Sequence, residues 1–241
     1  MSTPQRSQAL ALLPDKGLPD LLFLLLHGAG GDASQMRPLA QALRGQYPQA
    51  AVVSINAPEA FDQVTDDAAS AQGHQWYSLQ GANDDNHAQR VAEALPGFIA
   101  TVRAWAEQFD MAWERVALAG FSQGAVMALE AVQAEPQLAG RVLAFSGAYA
   151  TPPAHAPQEV SVHILHGQRD PVLPFQDQVT AARRLVHLGA DVTADVLPDP
   201  GHELHAELIE RALHQLRTFV PARMWREAMQ AAADEDAQPR H

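Results

Sequence analysis

Two rhythms of apolar residues alternate along the chain. Short, mostly apolar runs occur at 20–26, 51–55, 115–119, 141–145 and 160–166, and a more polar strand-like stretch at 191–197. Such runs are the length of strands buried on both faces. Between them, apolar residues return every three or four positions. Met36, Leu39, Ala40 and Leu43 do so after the first long run, with Asp32 or Ser34 placed to cap the helix they predict. Val91, Leu95, Phe98, Ile99, Val102 and Trp105 predict a long helix over about 86–109, with a kink expected at Pro96. Val126, Leu129, Ala131 and Val132 mark another over 125–133, stopped by Glu135-Pro136. Helices are also expected over 175–188, from beyond His202 through Phe219, and over 222–231.

Strand followed by helix, repeated, is the order of a parallel sheet with helices on its faces. Residues 7–13 alternate only weakly and are read as an edge strand, with 14–17 as the turn after it. From 57 to 87 periodicity fails. The stretch includes Gln75-Trp76-Tyr77-Ser78-Leu79, and its aromatics suggest a loop packed over the sheet edge. Residues 234–241 read as a frayed acidic tail. With no repeat and no linker, residues 1–241 are read as a single domain.

Composition narrows the function. A net charge of −12 argues against nucleic acid, whose phosphates call for clustered Lys and Arg. The absence of cysteine removes disulfides, a thiolate nucleophile and Cys-ligated metal. The apolar run 21–26 is too short to span a membrane, and the one at 9–13 is cut off by Pro14 and Asp15. A cytoplasmic protein is expected. The histidines include no H-E-x-x-H, and the spacing of His202 and His205 does not suit two metal ligands on one helical face.

The chemistry centres on Gly120-Phe121-Ser122-Gln123-Gly124. A G-x-S-x-G arises by chance in roughly one chain of this length in ten or fifteen. Lying between a predicted strand and a predicted helix, it reads instead as a nucleophile elbow. A serine hydroxyl needs a base, and the base needs a group to orient it. In that architecture the order is Ser, acid, His, with each residue on a loop after a strand. Asp170 follows the run at 160–166 and His202 follows the run at 191–197. The expected triad is therefore Ser122, His202 and Asp170. Asp177, Asp199, His205, His163 and His166 are rivals: the first two lie in a helix or after the wrong strand, His205 suits a cap, and His163 and His166 suit a core. The oxyanion donors are expected to be the main-chain N–H groups of Gln123 and of Ala29, in the glycine-rich loop after the first long run.

These stretches, with Leu25-Leu26-His27-Gly28, Gln75 to Gly81, Asp85-Asn86, Asp170-Pro171-Val172 and Gly201-His202, resemble the carboxylesterase/phospholipase branch of the α/β-hydrolases. That branch includes acyl-protein thioesterases, and the likeness is strongest to bacterial esterases of the YpfH type. One departure is Gly30-Gly31-Asp32, where many relatives carry a single glycine before Asp. The resemblance implies the same triad, a loop donor at Ala29, no cofactor, no large lid domain, and Trp76 and Val172 bordering an acyl pocket. The expected activity is a serine carboxylester hydrolase acting on small to medium acyl esters, a small-molecule substrate class, through an acyl-enzyme. A thioesterase or lysophospholipase with the same triad is the alternative, and a non-catalytic binding protein is a third. Oligomeric state stays open, a homodimer included.

Overall fold

The computed structural model describes residues 9–63 and 72–237. Its centre is a seven-stranded sheet in the order β1-β3-β2-β6-β7-β8-β9. The strands are β1 (Leu10–Leu12), β2 (Leu21–Leu26), β3 (Ala50–Ile55), β6 (Val116–Phe121), β7 (Arg141–Phe145), β8 (Ser161–Gly167) and β9 (Asp191–Leu197). Two-residue strands β4 (Glu59–Ala60) and β5 (His74–Gln75) pair with each other, away from this sheet. Only β1 runs antiparallel to its neighbour in the main sheet. The helices are α1 (Arg37–Gln46), α2 (His87–Gln108), α3 (Gln123–Ala134), α4 (Phe175–His187), α5 (Ala206–Thr218) and α6 (Ala222–Ala237).

The apolar runs are continuous because both faces of the sheet are covered. Leu22, Leu24 and Leu26 of β2 point into a core shared with α2, α3 and α4, through Val91, Phe98, Met127, Leu129 and Leu185. Phe23 and Leu25, one residue out of phase, enter a second core with α1 and α5, through Leu39, Leu43, Leu208 and Ile209. A period of two along the strand thus becomes two separate hydrophobic layers. Fully burying one such leucine is worth about 1.5–3 kcal/mol, so these layers carry most of the stability of the sheet.

Boundaries differ from expectation in instructive places. Strand β6 extends to Phe121, so the serine stands at the strand–helix junction with no loop before it. Pro96 is accommodated inside α2, on its exposed side. Asp32 caps a short 3₁₀ turn, Ala33–Met36, by accepting from the Ser34 N–H, and α1 begins only after it. Helix α6 continues through Ala237, and residues 238–241 of the expected tail lie outside the described residues. So do 7 and 8 of the expected edge strand and 64–71 of the aperiodic stretch. The aromatics of that stretch lie beyond the central strands β2 and β6: Trp76 bonds to His27 and Gln123, the residues that follow those strands closely.

Candidate active site

Ser122 links β6 to α3 with φ 51° and ψ −117°. A positive φ is costly for a residue with a Cβ and persists only where the surroundings impose it. Here the Ser122 N–H donates to the Phe145 carbonyl at 2.9 Å, and the Ser122 carbonyl accepts from Ala125 and Val126 at the start of α3. The glycines of the motif are steric necessities. A Cβ on Gly120 would stand 2.3 Å from the Gly124 carbonyl oxygen, and one on Gly124 would stand 2.3 Å from that of Leu26. The turn closes only because both positions carry hydrogen.

Loops after β8 and β9 bring two more groups to this point. His202 Nε2 lies 2.9 Å from Ser122 Oγ, and His202 Nδ1 lies 2.8 Å from Asp170 Oδ2. The loops are tied together by backbone bonds, Gln168 N–H to the Leu197 carbonyl at 2.8 Å and Arg169 N–H to that of Pro200 at 3.2 Å. The Asp170 side chain is fully buried while that of His202 keeps slight access to solvent. The other carboxylate oxygen of Asp170 accepts from the N–H groups of Val172 and Leu173, each at 2.9 Å. Burial pushes the Asp170 carboxyl up, but the Leu173 N–H, the His202 ring and the Val172 N–H outweigh it and hold the group below its ordinary range. Asp170 is therefore an anion aimed at the Nδ1–H of His202. That leaves Nε2 as the acceptor facing the serine hydroxyl.

The rivals sit elsewhere. Asp177 is in the first turn of α4, and exposed Asp199 pairs with Arg169 at 3.0 Å. His205 is the N-cap of α5, accepting from Glu207 N–H. His163 is buried in β8, bonded to Thr193 Oγ1 at 2.8 Å and set edge-on to Phe219. His166 is buried near the end of β8. Its Nε2 donates to the Leu173 carbonyl at 2.9 Å and stands 3.2 Å from the same Asp170 oxygen that His202 uses, while its Nδ1, like Nε2 of His163, has no hydrogen-bond partner among the described residues.

The glycine-rich loop packs against the elbow, where a Cβ on Gly28 would stand 3.2 Å from that of Ser122. Gly28 N–H donates to Gln35 Oε1 at 2.8 Å, Gly30 N–H to the His74 carbonyl at 2.9 Å and Gly31 N–H to that of Gly28 at 3.1 Å. The N–H groups of Ala29 and Gln123 have no hydrogen-bond partner among the described residues. The second is an open donor at the N-terminus of α3. Of the residues assigned to an acyl pocket, Val172 is 59% exposed beside Asp170, whereas Trp76 is 3% exposed, its indole N–H given to the His27 carbonyl. A cavity of about 500 Å³ between β9 and α5 and one of about 320 Å³ between α4 and β9 are lined by none of Ser122, Asp170 and His202. Among the described residues, no group of three His, Asp or Glu side chains is disposed to hold a metal ion.

This arrangement can take a proton from an alcohol. The sequence matches the family described as Phospholipase/Carboxylesterase over residues 15–220. It is 39% identical to Esterase YpfH of Escherichia coli over 216 residues, 90% of each chain. It is 31% identical to Acyl-protein thioesterase 1 of Gibberella zeae over 116 residues, 45% of this chain and 49% of the other. The fold superimposes on the crystal structure of esterase PE8 with a TM-score of 0.78 at 26% identity, covering 90% of this chain and 100% of that one. With a match running from residue 15 to residue 220, the chain belongs to the phospholipase/carboxylesterase family of α/β-hydrolases.

Proposed function

We propose that the protein is a serine carboxylester hydrolase in which Ser122 is the nucleophile, His202 the general base and then acid, and Asp170 the group that orients the imidazole. The observation that carries this reading is the unbroken line Ser122 Oγ, His202 Nε2, His202 Nδ1, Asp170 Oδ2, with gaps of 2.9 and 2.8 Å across its two hydrogen bonds. Both lie within the range for proton transfer between positioned groups.

In the first half-reaction the Ser122 hydroxyl proton moves to His202 Nε2 as Oγ bonds to the acyl carbon. The carbonyl π pair becomes an oxyanion, received by the N–H groups of Ala29 and Gln123. Asp170 stabilises the imidazolium without taking its proton. Collapse re-forms the carbonyl and breaks the bond to the alcohol, which leaves with the proton from His202 Nε2. Water then enters, gives a proton to His202 and attacks the acyl-Ser122 ester. The second tetrahedral adduct releases the acid and restores Oγ–H. We assign Val172, exposed beside Asp170, to the rim of the acyl site.

A serine-directed fluorophosphonate is expected to label Ser122, and Ser122→Ala to lose roughly 10⁴-fold or more in kcat on a p-nitrophenyl ester. Undiminished turnover by the alanine variant sinks the assignment. Identity to an acyl-protein thioesterase favours a second reading with the same residues, in which the acyl group arrives on sulfur or on a lysophospholipid. Matched oxygen and thioesters over a range of chain lengths separate the two by their kcat/KM.

A further inference from the structure

The aperiodic stretch between β3 and α2 has so far no task, yet its last part is bound into the site at both ends. At one end, His74 N–H donates to the Gly31 carbonyl at 2.8 Å while its own carbonyl accepts from Gly30 N–H at 2.9 Å. Gly73 lies so close that a Cβ there would stand 2.0 Å from the Gly30 carbonyl oxygen. The Trp76 indole N–H reaches the His27 carbonyl at 2.9 Å, and its ring meets Phe98 of α2 edge-on at 5.3 Å. At the other end, the Gln123 side chain accepts from Trp76 N–H and donates to the Tyr77 carbonyl, both at 2.7 Å. Gln123 is 4% exposed, so these bonds lie out of reach of water.

We propose that residues 73–77 are a strap that fixes the two oxyanion donors relative to each other, with Trp76 and the Gln123 side chain as its positioning residues. The loop carrying Ala29 contains Gly28, Gly30 and Gly31, a composition that gives its backbone little stiffness. The other donor belongs to Gln123, on a different element. A pair of donors stabilises an oxyanion only when held in place before charge develops, and a displacement of about 1 Å can cost about a hundredfold in rate. The strap ties the flexible donor to the rigid one through a single run of backbone. Truncating the Gln123 side chain leaves a buried N–H and a buried carbonyl unpaired, which drives the strap to move.

This inference rests on Ser122 being the nucleophile, and the test separates the two. In the full-length protein, Trp76→Phe removes the indole donor and keeps a ring, while Gln123→Met removes both strap bonds and keeps the main-chain N–H. Leu43→Ala truncates a buried contact on the opposite face of the sheet and serves as a control for lost stability. Each is assayed for kcat and KM on a p-nitrophenyl ester and for inhibition by a trifluoromethyl ketone, whose serine adduct carries the same oxyanion.

Both strap variants are expected to lose roughly ten- to a hundredfold in kcat. KM should stay within about twofold, and ketone affinity should fall by the same factor as kcat. The control should keep the kcat of the parent. The strap is refuted if a folded strap variant keeps kcat within about threefold, if the loss falls on KM alone, or if Leu43→Ala loses as much. Should one strap variant fail to fold, the other decides. A fully active Ser122→Ala overturns the nucleophile reading instead, whatever the strap variants do.

Discussion

Asp170 is bonded on every side that a carboxylate can offer. Two main-chain N–H groups hold one oxygen, and His202 holds the other. His166 stands 3.2 Å from that second oxygen with its Nε2–H shared with the Leu173 carbonyl. Burial depresses the affinity of His166 for a second proton, so it acts as a neutral donor. His166→Leu removes that donor at little change in volume and is expected to lower kcat by roughly ten- to a hundredfold, in line with about 1.5–3 kcal/mol for a hydrogen bond to a charged group. His166→Gln, whose amide nitrogen can replace Nε2, should recover most of it. In proton NMR the downfield resonance of the His202 Nδ1–H should shift in the leucine variant and return in the glutamine one. Equal activity in all three proteins would reduce His166 to packing. Sequence periodicity could not reveal this role, because a histidine inside an apolar run looks the same whether it fills space or faces an acid.

At the scale of elements, legibility followed burial. Strands β2, β3, β6, β7 and β8 are buried on both faces and stand out as runs, so a parallel sheet could be read in advance, whereas β9 is half-buried and more polar. Edge strand β1, with all three residues exposed, gave only weak alternation. The stretch before α2 was opaque for a different reason. Its order comes from hydrogen bonds to Gly30, Gly31, His27 and Gln123, each distant in sequence, and such bonds leave no period.

The helices themselves invite a paired test, since one substitution should act oppositely in two of them. Gly97 lies inside α2 with open space where a Cβ would stand, so Gly97→Ala should raise stability by about 0.5–1 kcal/mol. Gly124 lies in the first turn of α3 with the Leu26 carbonyl in the way, so Gly124→Ala should cost several-fold more than that and abolish turnover. Urea unfolding and a coupled activity assay read both. Stabilisation by the second change would show that the elbow is looser than described.

For the molecule as a whole, acid should act first through histidines that must stay neutral. Burial holds His27 at about 4, and His163, buried beside the Arg141 charge, at about 3. Unfolded, each titrates near 6.5. The unfolded chain therefore binds more protons between these values, and stability falls as pH drops through that window. Above the unfolded value the full contribution is present. At pH 5 each residue should have forfeited about 2 kcal/mol. Asp170, held below its ordinary range, keeps its contribution until the pH falls lower still. Urea midpoints at pH 7.5 and 5.0 should thus differ clearly, and His163→Asn should narrow the gap. Indistinguishable midpoints in the parent protein would contradict the buried, neutral state assigned to both rings.

The proposed nucleophile stood out in the sequence because an elbow needs a strand, two glycines and a helix in immediate succession. Asp170 and His202 stood out as its candidate partners because each follows a predicted strand of the same parallel sheet. The most direct measurement is rapid quenching of the protein during turnover of a slowly hydrolysed p-nitrophenyl ester, followed by peptide mass mapping. An acyl group on the peptide containing Ser122, formed in step with the first burst of nitrophenol and absent from Ser122→Ala, is the predicted result. A burst that proceeds with the acyl group on another residue, or turnover with no adduct and an active alanine variant, would contradict the account.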